Sequence, residues 1–282
     1  MPPPAAHSLR LTALLFTPGS RPERFAKAAA SGADGIIVDL EDAVPVPDKE
    51  RVRGEVVKYF HEHGRVGAPP FVSALRINNP RTDTGRRDLE AVVAAGLRPD
   101  LMVLPKVESA DEIKLVVGQM PGIPVLGLIE TIQGVRRCAS IAEASPAVAA
   151  LGFGGYDLSA ETGGEPVWEA LLWPRMQVVH ACAAAGVLAL DQPWINLDDS
   201  AGLTEECRRV RALGFTGKLA VHPRQAAYIS GAFEPAPEQV ERARRIVTAF
   251  ESAGGHVANI DGQMIDVPMY RSAQRVLQRA GN

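Results

Sequence analysis

The strongest constraint on the fold of this 282-residue chain is a regular alternation of two kinds of segment. Short runs of apolar and β-branched residues recur, and segments rich in Ala, Glu and Arg separate them. Each run is apolar throughout rather than at every second residue, which is typical of parallel strands buried on both faces. The candidate strands are residues 11–17, 35–41, 71–78, 101–106, 124–130, 149–155, 187–192 and 218–223.

Strands and helices that alternate in this way predict an α/β fold, a (β/α)8 TIM barrel. The alternative is an open, doubly wound sheet, but that fold normally needs fewer strands, and no GxGxxG motif follows the first candidate strand. Helical patterns at 237–253 and 270–280, with a loop around NIDGQMIDVPM, follow the last strand. We therefore predict a flexible tail over 1–9, a catalytic barrel over 10–230, and a helical C-terminal extension or lid over 231–282.

Composition narrows the class of protein. The formal charge of −3 offers no broad positive field for nucleic acid or an anionic membrane. The three cysteines form no CxxC pair, which indicates reduced thiols rather than a disulfide framework. The first residues, MPPPAAHSLR, lack the pattern of a secretory signal, and no apolar run is long enough to cross a bilayer. We expect a cytoplasmic enzyme with no nucleic-acid or membrane partner.

Polar residues follow nearly every candidate strand. In a TIM barrel the carboxyl ends of the strands share one face, and that face holds the active site. A structural role, as a cap or an internal ion pair, accounts for one or two such residues but poorly for a nearly complete set. The residues are Asp39, Glu41, Asp42, Arg76, Asn78, Lys106, Glu130, Asp157, Asp191 and His222.

Two of these residues predict a metal site. Glu130 and Asp157 follow strands five and six, and adjacent carboxylates repel unless a cation or a proton lies between them. Mg²⁺ takes one or two protein carboxylates together with water and substrate oxygens, so we predict Mg²⁺, with Mn²⁺ able to replace it. No His or Cys spacing suggests zinc. Gly154 and Gly155 would bring free backbone N–H groups to the substrate, although a simple tight turn explains them equally well.

Arg76 and Lys106 supply positive charge to the same face. A guanidinium matches a carboxylate with two parallel hydrogen bonds, so Arg76 is predicted to hold an anionic substrate. An internal salt bridge from Arg76 to Asp39 or Glu41 is the alternative, and both can hold together. Lys106 could form a Schiff base, but a metal pair makes that redundant, and we favour an ion pair with the acids after strand two.

Several motifs of the chain resemble one family. The chain is similar to the citrate lyase beta subunit, and to the related malyl-CoA and citramalyl-CoA lyases, over about residues 10–280. The resemblance implies a TIM barrel of the phosphoenolpyruvate/pyruvate superfamily, with a C-terminal extension and assembly as trimers or hexamers. The motifs are LLFTPGSRPERFAKAAASGADGIIVDLEDAV, RIN, LPKVES, LIETIQGV, FGGYDLSAETG, AVHPRQ and DGQMIDVP.

The resemblance also implies a role for particular residues. Glu130 and Asp157 match the Mg²⁺ ligands, and Arg76 matches the residue that binds the carboxylate of a 2-oxo acid. Asp266 matches an acidic residue that a neighbouring chain contributes as acid/base. The resemblance further implies that four residues contact the metal ligands and Arg76 and hold them in position. They are Asp39, Glu41, Asp42 and Lys106.

Two positions depart from the family pattern. Many members have Asp where this chain has Glu161, and many have a smaller residue where it has Trp194. We expect Glu161 to change the wall of the acyl pocket, and both departures bear on the identity of the substrate.

The expected function is a Mg²⁺-dependent carbon–carbon lyase. It would cleave, reversibly, a 3-hydroxyacyl-CoA or carrier-protein thioester into a 2-oxo acid and an acyl thioester. The alternatives are a class II pyruvate-type aldolase acting on free acids, a malyl-CoA or citramalyl-CoA thioesterase, and a partner-dependent subunit of a lyase complex. A basic groove for the phosphates of coenzyme A would favour a thioester substrate. Its candidate residues are Arg21, Arg24, Lys27 and Arg81, and we expect Arg21 to bind substrate.

Overall fold

The structure, a computed structural model, describes residues 9–280. The chain divides into two compact units, of which the first ends at Ser230 and the second begins at Gly231. All but the last residue of the tail predicted over 1–9 lies outside the described residues.

The first unit is a closed barrel of eight parallel strands in chain order, in which β8 returns to pair with β1. The predicted TIM barrel is therefore confirmed, and each candidate strand is a strand of the barrel. The strands are β1 Ala13–Pro18, β2 Gly35–Asp39, β3 Val72–Arg76, β4 Leu101–Leu104, β5 Val125–Ile129, β6 Val148–Phe153, β7 Leu188–Asp191 and β8 Gly217–Ala220.

Helices follow the strands, and side-chain caps fix where some of them begin. Thr82, Thr131 and Asp199 each accept a hydrogen bond from a backbone N–H in the first turn of the helix that follows. Short 3-10 turns occupy Pro22–Arg24 and Val46–Asp48. The helices are α1 Phe25–Ala29, α2 Lys49–His63, α3 Asp83–Ala94, α4 Ala110–Gln119, α5 Ile132–Ala142, α6 Gly155–Thr162, α7 Trp168–Ala185, α8 Ser200–Leu213 and α9 Gln225–Phe233.

The inside of the barrel is filled by apolar side chains from alternate strand positions. Leu14, Ile37, Ala74, Leu128 and Leu190 belong to one cluster of buried residues. Their neighbours in the strands are apolar too, because the helices cover the outer face, and this explains why the runs do not alternate in polarity. The next inward position along each strand faces the mouth of the barrel.

The second unit contains two helices and a hairpin. Its elements are α10 Pro237–Ser252, β9 Ala258–Ile260, β10 Gln263–Ile265 and α11 Val267–Arg279. The loop predicted around NIDGQMIDVPM is wrong, because Asp261 and Gly262, at φ of 51° and 80°, join β9 to β10 as a two-residue turn. A small core of its own includes Phe250, on which the ring of Tyr270 stacks. Among the residues described, no helix has both the length and the apolar character needed to span a membrane.

Candidate active site

A cavity of about 370 Å³ lies at the carboxyl ends of the strands. Side chains that stand two residues after an inward-facing core residue form much of its wall, because strand side chains alternate between the two faces. They include Phe16, Asp39, Arg76, Glu130 and Gln192. The mouth of the barrel therefore holds a cavity that is apolar on one part of its wall and charged on another.

Arg76 is buried in this wall and already paired. Its Nε and Nη2 donate to the two carboxylate oxygens of Asp39, each at 2.6 Å, and Nη1 lies 2.9 Å from Glu41 Oε2. The guanidinium also lies over the ring of Phe16, 4.5 Å from its centroid. Burial opposes the charged form, but the bonds to Asp39 raise the pKa of Arg76 above its ordinary value. The predicted internal salt bridge is present, and Arg76 also lines the cavity.

Lys106 connects the acids after β2 to the predicted metal ligands. Its Nζ lies 2.6 Å from Glu41 Oε1, 3.6 Å from Asp42 Oδ1 and 3.4 Å from Asp157 Oδ1. Burial lowers the pKa of Lys106, but the hydrogen bond to Glu41 and the charge of Glu130 outweigh it and raise the pKa above its usual range. A lysine held in the charged form is a poor Schiff-base nucleophile, so the favoured ion-pair role fits its surroundings.

Among the carboxylates that line the cavity, Glu130 has the pKa that is displaced furthest from its ordinary value. Its side chain is buried, and its Oε1 accepts a hydrogen bond of 2.8 Å from the backbone N–H of Lys106, which stands at a φ of 50°. Burial raises the pKa of Glu130 to about 7; Lys106 opposes this rise, and the charges of Asp157 and Glu41 add to it. Within residues 9–280, Oε2 of Glu130 accepts no hydrogen bond. A carboxylate oxygen is therefore available to a ligand.

Asp157 is the third residue of α6 and lines the same cavity, with 42% of its side chain exposed. Over the described part of the chain, no group of three or more His, Cys, Asp or Glu residues is arranged to hold a metal. Two carboxylates nevertheless fit a hard cation such as Mg²⁺, which completes its coordination with water and substrate oxygens. Glu130 and Asp157 therefore form a suitable donor set for the predicted ion.

The two glycines before Asp157 do not offer the free N–H groups that we expected. The N–H of Gly154 donates to the Ile129 carbonyl at 2.9 Å, and that of Gly155 donates to Gln192 Oε1 at 2.7 Å. Their small size matters instead, because a Cβ on Gly154 would lie 2.6 Å from Glu130 Cβ. The glycines allow α6 to begin against Glu130.

Five of the ten polar residues predicted at the strand ends do not line the cavity. Glu41 and Lys106 pair with each other and with groups that do line it, and the other three lie elsewhere. Asp191 faces the helices, where Arg175 and Lys218 hold its carboxylate at 2.8 and 2.6 Å. Asn78 donates from its side chain to the Leu40 carbonyl and to Asp88. His222 lines a different cavity. The expectation that all of these residues converge on one site is wrong. Asp191 and His222 point away because alternate residues of a strand face opposite sides, whereas Asn78, two residues beyond the end of β3, is held by its bonds to Leu40 and Asp88.

The positions that depart from the family pattern also lie outside the cavity wall. Glu161 accepts a hydrogen bond of 2.8 Å from the N–H of Ile132 in the first turn of α5, and its expected effect on the acyl pocket wall stays a prediction. The Trp194 carbonyl accepts a hydrogen bond from Gln225 Nε2. Each of the two residues contacts neighbouring structure rather than the cavity.

Asp266 belongs to the second unit. It is the N-cap of α11, and its carboxylate accepts a hydrogen bond of 3.1 Å from the N–H of Met269. Its implied role as acid/base in a neighbouring chain stays a prediction.

A second cavity, of about 360 Å³, adjoins the first, since Phe16 and Val221 line both. Arg24, Lys27 and His222 line it, and within the described chain no Asp or Glu does. Partial burial and the charges of Arg224 and Lys27 lower the pKa of His222. This cavity is therefore suited to an anion.

Two of the candidate basic residues lie elsewhere. Arg21 is 59% exposed, and its guanidinium stands 3.9 Å from Glu23. Arg81 pairs with Glu108 and Glu112. Neither residue lines either of the two cavities, so the expected binding of substrate by Arg21 has no support in the geometry.

Gln192 is a polar residue of the cavity wall that is absent from the predicted site. It lies in the seventh candidate strand, for which Asp191 is the polar residue predicted at the strand end. The signal that identifies it is the period of two, because Leu190 is an inward-facing core residue and Gln192 follows two positions later.

The sequence profile of the HpcH/HpaI aldolase/citrate lyase family matches residues 12–223. The chain belongs to this family. It is 33% identical over 286 residues to a (3S)-malyl-CoA thioesterase of Cereibacter sphaeroides, covering 98% of this chain and 95% of the relative. It is 32% identical to the citrate lyase subunit beta of Leuconostoc mesenteroides subsp. cremoris, covering 95% of this chain and 92% of the relative.

A solved structure agrees with these relatives. The CitE protein of Mycobacterium tuberculosis, in complex with magnesium, acetoacetate and coenzyme A, superposes with a TM-score of 0.81 at 34% identity. The match covers 96% of this chain and 98% of that protein. The predicted family and enzyme class are confirmed: the chain is a TIM-barrel enzyme of the citrate lyase beta kind.

Proposed function

We propose that this chain is a Mg²⁺-dependent lyase that cleaves a 3-hydroxyacyl thioester into a 2-oxo acid and an acyl thioester. The observation that carries the proposal is the pair of carboxylates, Glu130 and Asp157, at one cavity whose wall also contains Arg76. Mg²⁺ held by the two carboxylates supplies a Lewis acid for an oxygen of the 2-oxo acid.

The chain's own residues orient the substrate and hold charge. Arg76, itself fixed by Asp39 and Glu41, uses its remaining N–H donors for the carboxylate of the 2-oxo acid. Lys106 keeps Glu41 in place and positions Glu130 through its backbone N–H. These contacts set the geometry before substrate binds, which is how a site favours a transition state.

The reaction requires one proton to move. As the carbon–carbon bond breaks, its electron pair passes to the acyl fragment, the hydroxyl group loses its proton, and the acyl α-carbon gains one. The products are the 2-oxo acid and the acyl thioester. We propose that Asp266 of a neighbouring chain carries this proton, which requires an oligomer.

The basic cavity beside the catalytic one supports a thioester over a free acid. A pyruvate-type aldolase acting on a small free acid does not need Arg24 and Lys27 next to its site. An enzyme that binds coenzyme A needs such positive side chains to hold the phosphates. The shared wall residues Phe16 and Val221 allow one extended ligand to reach both cavities.

Thioester hydrolysis is the second candidate, since one relative is a (3S)-malyl-CoA thioesterase. The products separate the two activities when malyl-CoA and citramalyl-CoA are offered with Mg²⁺. A lyase releases a 2-oxo acid and an acyl-CoA, and a thioesterase releases free coenzyme A and a hydroxy acid.

Calorimetric titration with pyruvate, oxaloacetate and glyoxylate tests the metal site, with and without Mg²⁺. We expect binding to require Mg²⁺ and to be lost in Glu130→Ala and in Asp157→Ala. The matched control is Glu161→Gln, a change on the same helix as Asp157 that keeps an oxygen for the N–H of Ile132. Acid binding that survives in either of the two alanine variants, or without metal, contradicts the proposal.

A further inference from the structure

Gln192 has an amide whose orientation is fixed. The side chain is only 3% exposed, and one end of its amide lies 2.7 Å from the backbone N–H of Gly155. A backbone N–H can only donate, so the amide oxygen must face Gly155, and Nε2 must face away from it.

The Nε2 group of Gln192 has no acceptor among residues 9–280. Nε2 is not completely buried in the protein interior, and Gln192 lines the catalytic cavity. A nearly buried amide donor without a partner is unfavourable, and an acceptor on a bound ligand removes that cost.

The position of β7 in the barrel says which part of a ligand Gln192 meets. β7 lies opposite β3, which ends in Arg76, so a ligand whose carboxylate lies at Arg76 extends toward Gln192. β7 also stands between β6, followed by Asp157, and β8, followed by Val221 at the basic cavity. Gln192 thus lies between the proposed metal ligands and the side from which the thioester enters.

We propose that Gln192 determines specificity, by donating a hydrogen bond from Nε2 to a carbonyl or carboxylate oxygen at the end of the substrate remote from Arg76. This inference rests on the proposed function. The acceptor is either the thioester carbonyl of the acyl part or the second carboxylate of a dicarboxylic 2-oxo acid. In both cases the site favours the ligand that carries the oxygen over an analogue that lacks it.

Calorimetry in the presence of Mg²⁺ tests the inference with two pairs of probes. Oxaloacetate and pyruvate differ in the second carboxylate, and acetyl-CoA and free coenzyme A, added with pyruvate present, differ in the acyl carbonyl. In Gln192→Met we expect the preference for the oxygen-bearing member of one pair to fall about tenfold, the effect of one lost hydrogen bond. Loss of the acceptor for the Gly155 N–H lowers the affinity for both members of a pair alike, so it leaves the preference between them unchanged.

Two further variants separate the donor from the fold. Gln192→Glu keeps an acceptor for Gly155 and puts a carboxylate oxygen in place of the donor, so the acetyl-CoA arm should respond at least as strongly as in Gln192→Met if the thioester carbonyl is the acceptor. Gln225→Met is the matched control: the Gln225 amide bonds the backbone of Val221, His222 and Trp194, and its own side chain lines neither cavity. It should lower stability without changing either preference.

The outcomes distinguish the inference from the function on which it rests. A reduced preference for acetyl-CoA assigns the thioester carbonyl as the acceptor, and a reduced preference for oxaloacetate assigns the second carboxylate. If both preferences persist in Gln192→Met while pyruvate still binds with Mg²⁺, the inference is overturned and the function stands. If the unaltered protein binds no acid with Mg²⁺, both are overturned.

Discussion

Glu130 must lose a proton before it can bind a cation, and this gives the site a pH dependence. Burial raises its pKa to about 7 from an ordinary value of 4.5. The folded chain therefore holds this proton more tightly than the unfolded chain. In the absence of metal, the resulting stability is fully present below pH 4.5 and is lost as the pH rises toward 7. Bound Mg²⁺ removes the conflict by neutralising the ionised form.

We predict that the affinity for Mg²⁺ rises about tenfold between pH 6 and pH 8, since ionised Glu130 grows from a minority to a majority over that range. Titration of the protein with Mg²⁺ at several pH values measures this. The increase in melting temperature caused by Mg²⁺ should grow over the same range. If the Mg²⁺ affinity is the same from pH 6 to pH 8, the cation does not displace a proton from Glu130, and the prediction is contradicted.

At the scale of the element, the beginning of α6 depends on the space beside Glu130. A Cβ on Gly154 would lie 2.6 Å from Glu130 Cβ and 2.7 Å from Oε2, so Gly154→Ala must displace either the carboxylate or α6. We expect a loss of about 1–3 kcal/mol in the free energy of unfolding. We also expect Mg²⁺ affinity to fall at least about tenfold, because either displacement moves Glu130 relative to Asp157.

Gly118→Ala is the matched control. Gly118 lies in α4, and a Cβ added there would meet no atom within 4 Å. This substitution should raise the free energy of unfolding by up to about 1 kcal/mol, the difference in helix propensity between the two residues, and leave Mg²⁺ affinity unchanged. Urea denaturation and calorimetry measure both effects. Equal Mg²⁺ affinities in Gly154→Ala and Gly118→Ala would contradict the role assigned to the close approach.

The strands were predictable and the faces of their last residues were not. Continuous apolar runs identify each strand because both faces of the barrel wall are buried, but such runs hide which side chains point inward. Counting in twos from an inward residue recovers the face: Leu128 leads to Glu130, and Leu190 leads to Gln192 rather than to Asp191. The hairpin of the second unit is indicated by the Asp-Gly pair at 261–262, a sequence typical of two-residue hairpin turns, although the region as a whole is polar enough to predict a loop.

At the scale of the whole molecule, the proposed function needs more than one chain. Asp266 caps α11 in the second unit, and the resemblance to lyases implies that it serves the site of a neighbour. Asparagine caps a helix about as well as aspartate, so Asp266→Asn should keep α11 intact while removing the acid/base group. A fall in activity without a fall in melting temperature then separates the chemical role from the structural one.

Mixing two inactive variants tests whether Asp266 acts between chains. Glu130→Ala keeps Asp266, and Asp266→Asn keeps Glu130, so a site formed between two different variants has both groups. Random co-assembly of equal amounts should restore about a quarter of the activity of the unaltered protein, because half of the sites have the intact barrel and half of those have the intact Asp266. The release of 2-oxo acid from malyl-CoA or citramalyl-CoA measures it after the variants are unfolded and refolded together. A mixture as inactive as its components, while unaltered protein refolded in the same way regains full activity, would assign Asp266 to the site of its own chain or to α11 alone.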